Sequence, residues 1–230
     1  MATISFKPYG ARNTGTFFYG HAGSTNINLT TLNSGLCGVF TAFAFGVAQY
    51  TPFDQFPLFT NMTPNSAYLL FVKGTTTFSS DESNVFPTTY TVKPGVNFIA
   101  IDKNAIALPM SATPMTTSNT DVVYGTFDAT DFRNLASEPS YEALKFLNVG
   151  IFTPDIVPNT PMGNFSNTIT LFRPGSAYLI AVKAGAAPFN ITYLRKSQYI
   201  ITNAGNTAPT GPGFIITCEN GDRLTTGVVG

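Results

Sequence analysis

Pro64-Asn65-Ser66-Ala67-Tyr68-Leu69-Leu70-Phe71-Val72-Lys73 returns 110 positions later as Pro174-Gly175-Ser176-Ala177-Tyr178-Leu179-Ile180-Ala181-Val182-Lys183, with seven of the ten positions identical. Both runs are short and mostly apolar, and each is entered through a Pro-Asn or Pro-Gly turn. That is the pattern of a central strand covered on both faces. The same offset carries Gly15-Thr16-Phe17 onto Gly125-Thr126-Phe127 and Val39 onto Val149. One offset held over separated stretches predicts a duplicated unit. The expected organisation is all-β: two tandem β-sandwich domains, Ig-like or jelly-roll-like, over residues 1–108 and 121–230. The tract between them, with Pro109, Pro114 and a run of Ser and Thr, reads as a semi-rigid linker over 109–120. A weaker echo of the strand entry stands at Pro94-Gly95-Val96-Asn97-Phe98-Ile99.

Composition agrees with strands. The chain of 230 residues holds 21 Phe, 10 Tyr and no Trp, and only 10% of it is charged, against roughly 25% in an ordinary soluble domain. Thr, Val, Phe and Tyr favour the pleated backbone, while Gly and Pro supply turns. Asn220-Gly221 reads as a tight hairpin. Ser137 to Phe146 is the one serious helix candidate, but the alternation of the apolar residues that follow favours a strand beginning near Leu144. A formal net charge of zero leaves copies little mutual repulsion and permits association. The expected state is a homo-oligomer or a subunit of a larger assembly.

The charge pattern argues against nucleic acid, because phosphate binding draws on clustered cations. Here 12 basic residues are scattered, and Arg195-Lys196 is the only adjacent pair. No membrane partner is expected either. The most apolar stretch, 35–47, is interrupted by glycine and falls short of the ~20 residues that span a bilayer. The first residues, Met1-Ala2-Thr3-Ile4-Ser5-Phe6-Lys7-Pro8, lack a basic segment followed by an apolar core, which predicts synthesis in a cytoplasm without a cleaved signal.

Residues able to carry chemistry are few. His21 stands alone between glycines and reads as a loop residue. Cys37 and Cys218, one in each half, read as buried reduced thiols. Two thiols and one histidine do not make an ordinary zinc site. Asp81-Glu82 and the pair Asp128 and Asp131 are the available carboxylates. They could serve glycoside hydrolysis only if two met across a cleft, and turn formation is the plainer reading. Four Asn-x-Ser/Thr sequons, at Asn28, Asn61, Asn164 and Asn190, read as unmodified. No catalytic, cofactor-binding or metal-binding residue is assigned. The residues singled out are those of the repeat itself: Pro64, Ser66, Tyr68 and Lys73, with Pro174, Ser176, Tyr178 and Lys183. The tyrosines are expected in the core with hydroxyls bonded near the turn, and the serines and lysines at strand ends.

Duplicated β modules, a neutral surface rich in Thr, Asn, Gly and Phe, and the Pro-Gly-Ser-Ala-Tyr-Leu-Ile strand entry together resemble the accessory virion proteins of tailed bacteriophages. These are capsid decoration or cement proteins, fibres and related adhesins. The resemblance implies a non-enzymatic structural protein located in a virion, docked on major capsid or tail subunits. Its alternative is an adhesin that binds a host-surface glycan through loops such as 61–66 or 189–193. A carboxylate-based depolymerase is the remaining reading.

Overall fold

The computed structural model describes residues 1–8, 14–32, 35–43, 46–127, 148–154, 167–196, 215–217 and 223–225. Met1–Lys196 form one compact unit and Ser197–Gly230 another. In the latter, Ile215–Thr217 pairs antiparallel with Arg223–Thr225. Cys218, the Asn220-Gly221 turn and the helix candidate at 137–146 lie outside the described residues.

The larger unit is built from strands. Its first set comprises β1 (Ala2–Phe6), β2 (Thr14–His21), β3 (Ile27–Asn28), β4 (Leu36–Phe43), β5 (Gly46–Tyr50), β6 (Asn61–Met62), β7 (Ser66–Lys73) and β8 (Thr76–Ser80). The second comprises β9 (Thr89–Val92), β10 (Gly95–Ala100), β11 (Leu108–Pro109), β12 (Thr120–Thr126), β13 (Val149–Phe152), β14 (Leu171–Phe172), β15 (Ala177–Val182) and β16 (Phe189–Thr192).

Pairing within each set is nested. β1 pairs with β8, β2 with β7, β3 with β6 and β4 with β5, all antiparallel. β4 also pairs with β7, giving a sheet in the order β2-β7-β4-β5. A long hairpin rolled into two layers has this arrangement, and it is the jelly roll. The second set repeats it: β9 with β16, β10 with β15, β11 with β14, β12 with β13, and a sheet ordered β10-β15-β12-β13. Even the irregularity recurs. The register slips between Leu36 and Gly38 opposite β7, and again between Thr120 and Val122 opposite β15. Each slip leaves one extra residue, a bulge that bends the strand.

The pairing pattern thus repeats in two sheet groups, as a duplication would have it, but their boundaries differ from those the constant offset implied. Tyr19 and Ile99 face Tyr68 and Tyr178 respectively, so β2 and β10 correspond at 80 positions, not 110. At the bulge the separation is 84, from Leu36 to Thr120. The second jelly roll begins with β9, near residue 89, so a division at 108/121 cuts through it. Residues 109–120 do not form a linker. They hold a 3-10 turn, Met110–Ala112, matching Leu29–Thr31 in the first copy, and Met110 and Thr120 are buried in the core. Gly15-Thr16-Phe17 and Gly125-Thr126 lie on β2 and β12, which are not counterparts, and Val39 and Val149 lie on β4 and β13. The true counterpart of β2 is the strand of the weaker echo. The cause is a longer connection in the second copy, where 22 residues separate β12 from β13 against two between β4 and β5.

Side-chain alternation along β7 and β15 explains why their sequence stayed alike. Tyr68, Leu70 and Val72 face an interior shared with Phe6, Tyr19, Val39, Met62 and Phe78, roofed by the β1–β8 ribbon. Tyr178, Ile180 and Val182 face the matching interior with Val92, Val123, Phe172 and Ile191. The opposite faces of the two sheets pack on each other. Phe18, Ala67 and Leu69 meet Phe98, Ala177 and Leu179, which are the same positions in each copy. Two equivalent faces packed together give the isologous contact of a two-fold dimer, here within one chain. The approach is closest at Gly20, where a Cβ would lie 2.5 Å from the Cβ of Ala100, its own counterpart. Each fully buried Leu, Ile or Val contributes about 1.5–3 kcal/mol, so a strand buried on both sides tolerates the least change.

Candidate functional site

The repeated motif builds one turn twice. Asn65 and Gly175 hold positive φ angles of 60° and 71° after Pro64 and Pro174, as the third position of a type II turn requires. The N–H of Asn65 donates to His21 O at 2.8 Å, and that of Gly175 to Ile101 O at 3.0 Å. Below the turn the Thr63 N–H donates to Tyr68 Oη at 2.7 Å and the Arg173 N–H to Tyr178 Oη at 2.8 Å. Tyr68 and Tyr178 thus occupy equivalent core positions. Ser66 Oγ contacts Thr63 Oγ1 at 3.0 Å, and Ser176 O accepts from the Ile101 N–H at 2.8 Å. At the strand ends the N–H groups of Lys73 and Lys183 donate to Gly35 O and Asn119 O. Lys183 Nζ also lies 3.8 Å from the exposed Asp121 carboxylate. All of this holds strands in place.

His21 is not in a loop. It ends β2 and is only 1% exposed. Its Nε2 faces the Thr25 carbonyl at 2.7 Å and so carries the proton. Its Nδ1 then accepts from the Gly23 N–H at 3.4 Å and lies 3.2 Å from Tyr19 Oη. With both ring nitrogens engaged, His21 ties two turns together. Burial, and then the neighbouring Glu82 carboxylate, push the Tyr19 phenol well above its ordinary range. Tyr19 therefore remains a donor, with Glu82 Oε1 at 3.1 Å.

Asp81 accepts from the Ser24 hydroxyl and, at 2.7 Å, from the Ser24 N–H. These bonds lower its pKa to about 2, which marks it as a loop tie. Asp128 and Asp131 lie outside the described residues. Asp102, 2% exposed, accepts from the N–H groups of Phe86 and Asn104 at 3.1 and 2.8 Å and sits 3.7 Å from Arg195 Nε. This pair pins β16 to the turn after β10. Among the described residues, no group of three or more His, Cys, Asp or Glu is placed to share a metal ion. Of the loops named for glycan binding, 61–66 carries no aromatic residue, and in 189–193 Tyr193 is 2% exposed and Phe189 partly buried.

The unusual surface lies elsewhere, in the connection from β5 to β6: Thr51-Pro52-Phe53-Asp54-Gln55-Phe56-Pro57-Leu58-Phe59. Phe53 is 89% exposed, Phe56 88% and Leu58 68%. Pro52 and Pro57 cannot donate to a ladder, so the segment cannot become a strand. The Leu58 N–H reaches back to Gln49 O at 3.1 Å and fixes its far end. A cleft lies on either side. One, of about 470 Å³, is lined by Val47, Ala48, Leu58, Phe59 and Tyr68 with Thr41, Asn61 and Thr63. The other, of about 640 Å³, lies between this loop and the 3-10 turn, with Leu36, Cys37, Phe53 and Lys73 in its wall. The sequence held a readable signal for this surface: two phenylalanines between two prolines and a third just beyond, with neither helical nor strand periodicity.

The chain matches no protein-family model, no curated protein and no solved structure.

Proposed function

We propose that this chain is a non-enzymatic structural protein of a virion that docks on neighbouring capsid or tail subunits through the apolar face around residues 51–59. The observation that carries the reading is the solvent exposure of Phe53, Phe56 and Leu58 on a loop anchored at both ends. A contiguous exposed apolar patch marks an interaction surface more often than it marks anything else, and aromatic anchors dominate such contacts. Burying both phenyl rings is worth on the order of 3–6 kcal/mol before the costs of association. The jelly roll recurs in viral capsid and lectin domains, and this support is fold-level analogy. The paired faces inside the unit are already used up, which leaves the loop face for neighbours.

The test is particle sedimentation from cells expressing the chain with the genes beside it, followed by mass spectrometry of the pellet. The wild-type chain is expected in the particles, unaffected by raising salt from about 0.05 to 0.5 M, because apolar contacts are not screened. Phe53→Ser with Phe56→Ser is expected to fold, since neither ring is buried, and to stay in the supernatant. A wild-type chain that remains monomeric and outside every particle overturns the proposal.

A further inference from the structure

The smaller cleft has a counterpart in the second copy, and there it is closed. The backbone of the two sites is the same. The Leu58 N–H donates to Gln49 O at 3.1 Å, and the Thr168 N–H to Ile151 O at 2.7 Å. The Leu29 N–H meets Thr60 O at 2.9 Å, and the Met110 N–H meets Thr170 O at 2.8 Å. Residue 59 therefore corresponds to residue 169, and the strand registers match Ala48 with Gly150 and Thr41 with Gly125. In the second copy Ile169 lies flat on those two glycines. A Cβ at Gly150 would stand 2.3 Å from Ile169 Cγ2, and one at Gly125 would stand 3.1 Å from its Cδ1. Ile169 is 2% exposed and belongs to the core.

In the first copy the two glycine positions carry side chains, Thr41 and Ala48, and these line an open space. Thr41 is held by its own bond to Ala67 O at 2.8 Å. Phe59 cannot lie where Ile169 lies, and it is only partly buried. The gap between the lifted segment and the sheet is the cleft of about 470 Å³. Val47, Leu58, Phe59 and Tyr68 make its walls apolar, and Asn61 and Thr63 stand at its rim where the second copy has Leu171 and Arg173. The rim can bond a peptide backbone while the walls take its side chain.

We infer that this cleft is a socket for one branched aliphatic side chain presented by an extended segment of a partner polypeptide, the role Ile169 plays within the second copy. The choice of a polypeptide rests on the docking reading above, because the socket is walled by Leu58 of the same exposed loop. A separate test can fail without it. The probe is the capped pentapeptide acetyl-Asn-Thr-Ile-Thr-Leu-amide, copied from residues 167–171, titrated into the full chain with methyl groups labelled for NMR.

Saturable shifts are expected at the methyls of Thr41, Val47, Ala48 and Leu58. Affinity should fall about tenfold or more when the peptide's Ile is replaced by Gly, the loss of one buried aliphatic side chain. Ala48→Leu should fill the socket and abolish the shifts. Val47→Phe, at a half-exposed wall position, does the same should the first variant fail to fold. Shifts elsewhere, shifts that survive plugging, or no shifts overturn the socket. Response to 2-methylbutanol but not to the peptide overturns the polypeptide and leaves a site for small aliphatic molecules. Loss of peptide binding alongside intact particle sedimentation would sink the socket and leave the docking reading standing.

Discussion

Gly150→Ala tests the closed half of this comparison. The new methyl would sit 2.3 Å from Ile169 Cγ2, where ordinary contact begins near 3.4 Å, and 3.3 Å from Thr126 O. Ile169 must therefore withdraw by about 1 Å from a packed interior, at about 1–3 kcal/mol for a forced rotamer or backbone shift. For a unit of this size each kcal/mol lowers the melting temperature by about 2–4 °C, so a fall of roughly 2–12 °C is expected by calorimetry. The clash can be isolated with a double-mutant cycle in urea. Ile169→Ala alone should cost about 2–5 kcal/mol. In that background Gly150→Ala should cost almost nothing, leaving a coupling of about 1–3 kcal/mol. The mirror change, Ala48→Gly, removes no contact of this kind and should cost only the backbone freedom of glycine, about 0.5–1 kcal/mol. A harmless Gly150→Ala, or effects that simply add, would refute the claim that Ile169 fills the space the first copy leaves open.

Two further outcomes follow from the repeated turn and the loop tie. Tyr68→Phe strands the Thr63 N–H, and Tyr178→Phe strands the Arg173 N–H along with the bond from Tyr178 Oη to Leu171 O at 3.1 Å. Each should cost about 1–2 kcal/mol in urea unfolding, and a neutral result for either would show that the two tyrosines do not play one role. Asp81, whose pKa falls from its ordinary 3.8 to about 2 chiefly through the Ser24 hydroxyl and N–H, contributes stability that is complete above about pH 4. That contribution is lost as pH falls through the folded value, because the unfolded state takes up the proton first. Carboxyl NMR should find Asp81 still charged at pH 3 and shifted back towards its ordinary value in Ser24→Ala. An unchanged titration there would exclude the tie.

The sequence alone determined the class of fold and the presence of a repeated strand, and it did so through one pair of strands. β7 and β15 are covered on both faces, so almost every position is constrained and seven of ten residues survived. The strands beside them, β2 and β10, kept apolar character and lost identity, as Phe17-Phe18-Tyr19 and Asn97-Phe98-Ile99 show. Only pairing register reveals them as counterparts. A match at 110 between β2 and β12 was therefore believable in sequence and absent in space, and it moved the boundary by about thirty residues. His21 is a similar case: flanking glycines describe a loop, while the bonds that bury it come from Tyr19 and Thr25. The exposed phenylalanines could have been found from their prolines, but the socket beside them could not. Its walls come from Thr41, Val47, Ala48, Leu58, Phe59 and Tyr68, on strands and a loop that tertiary packing alone brings together.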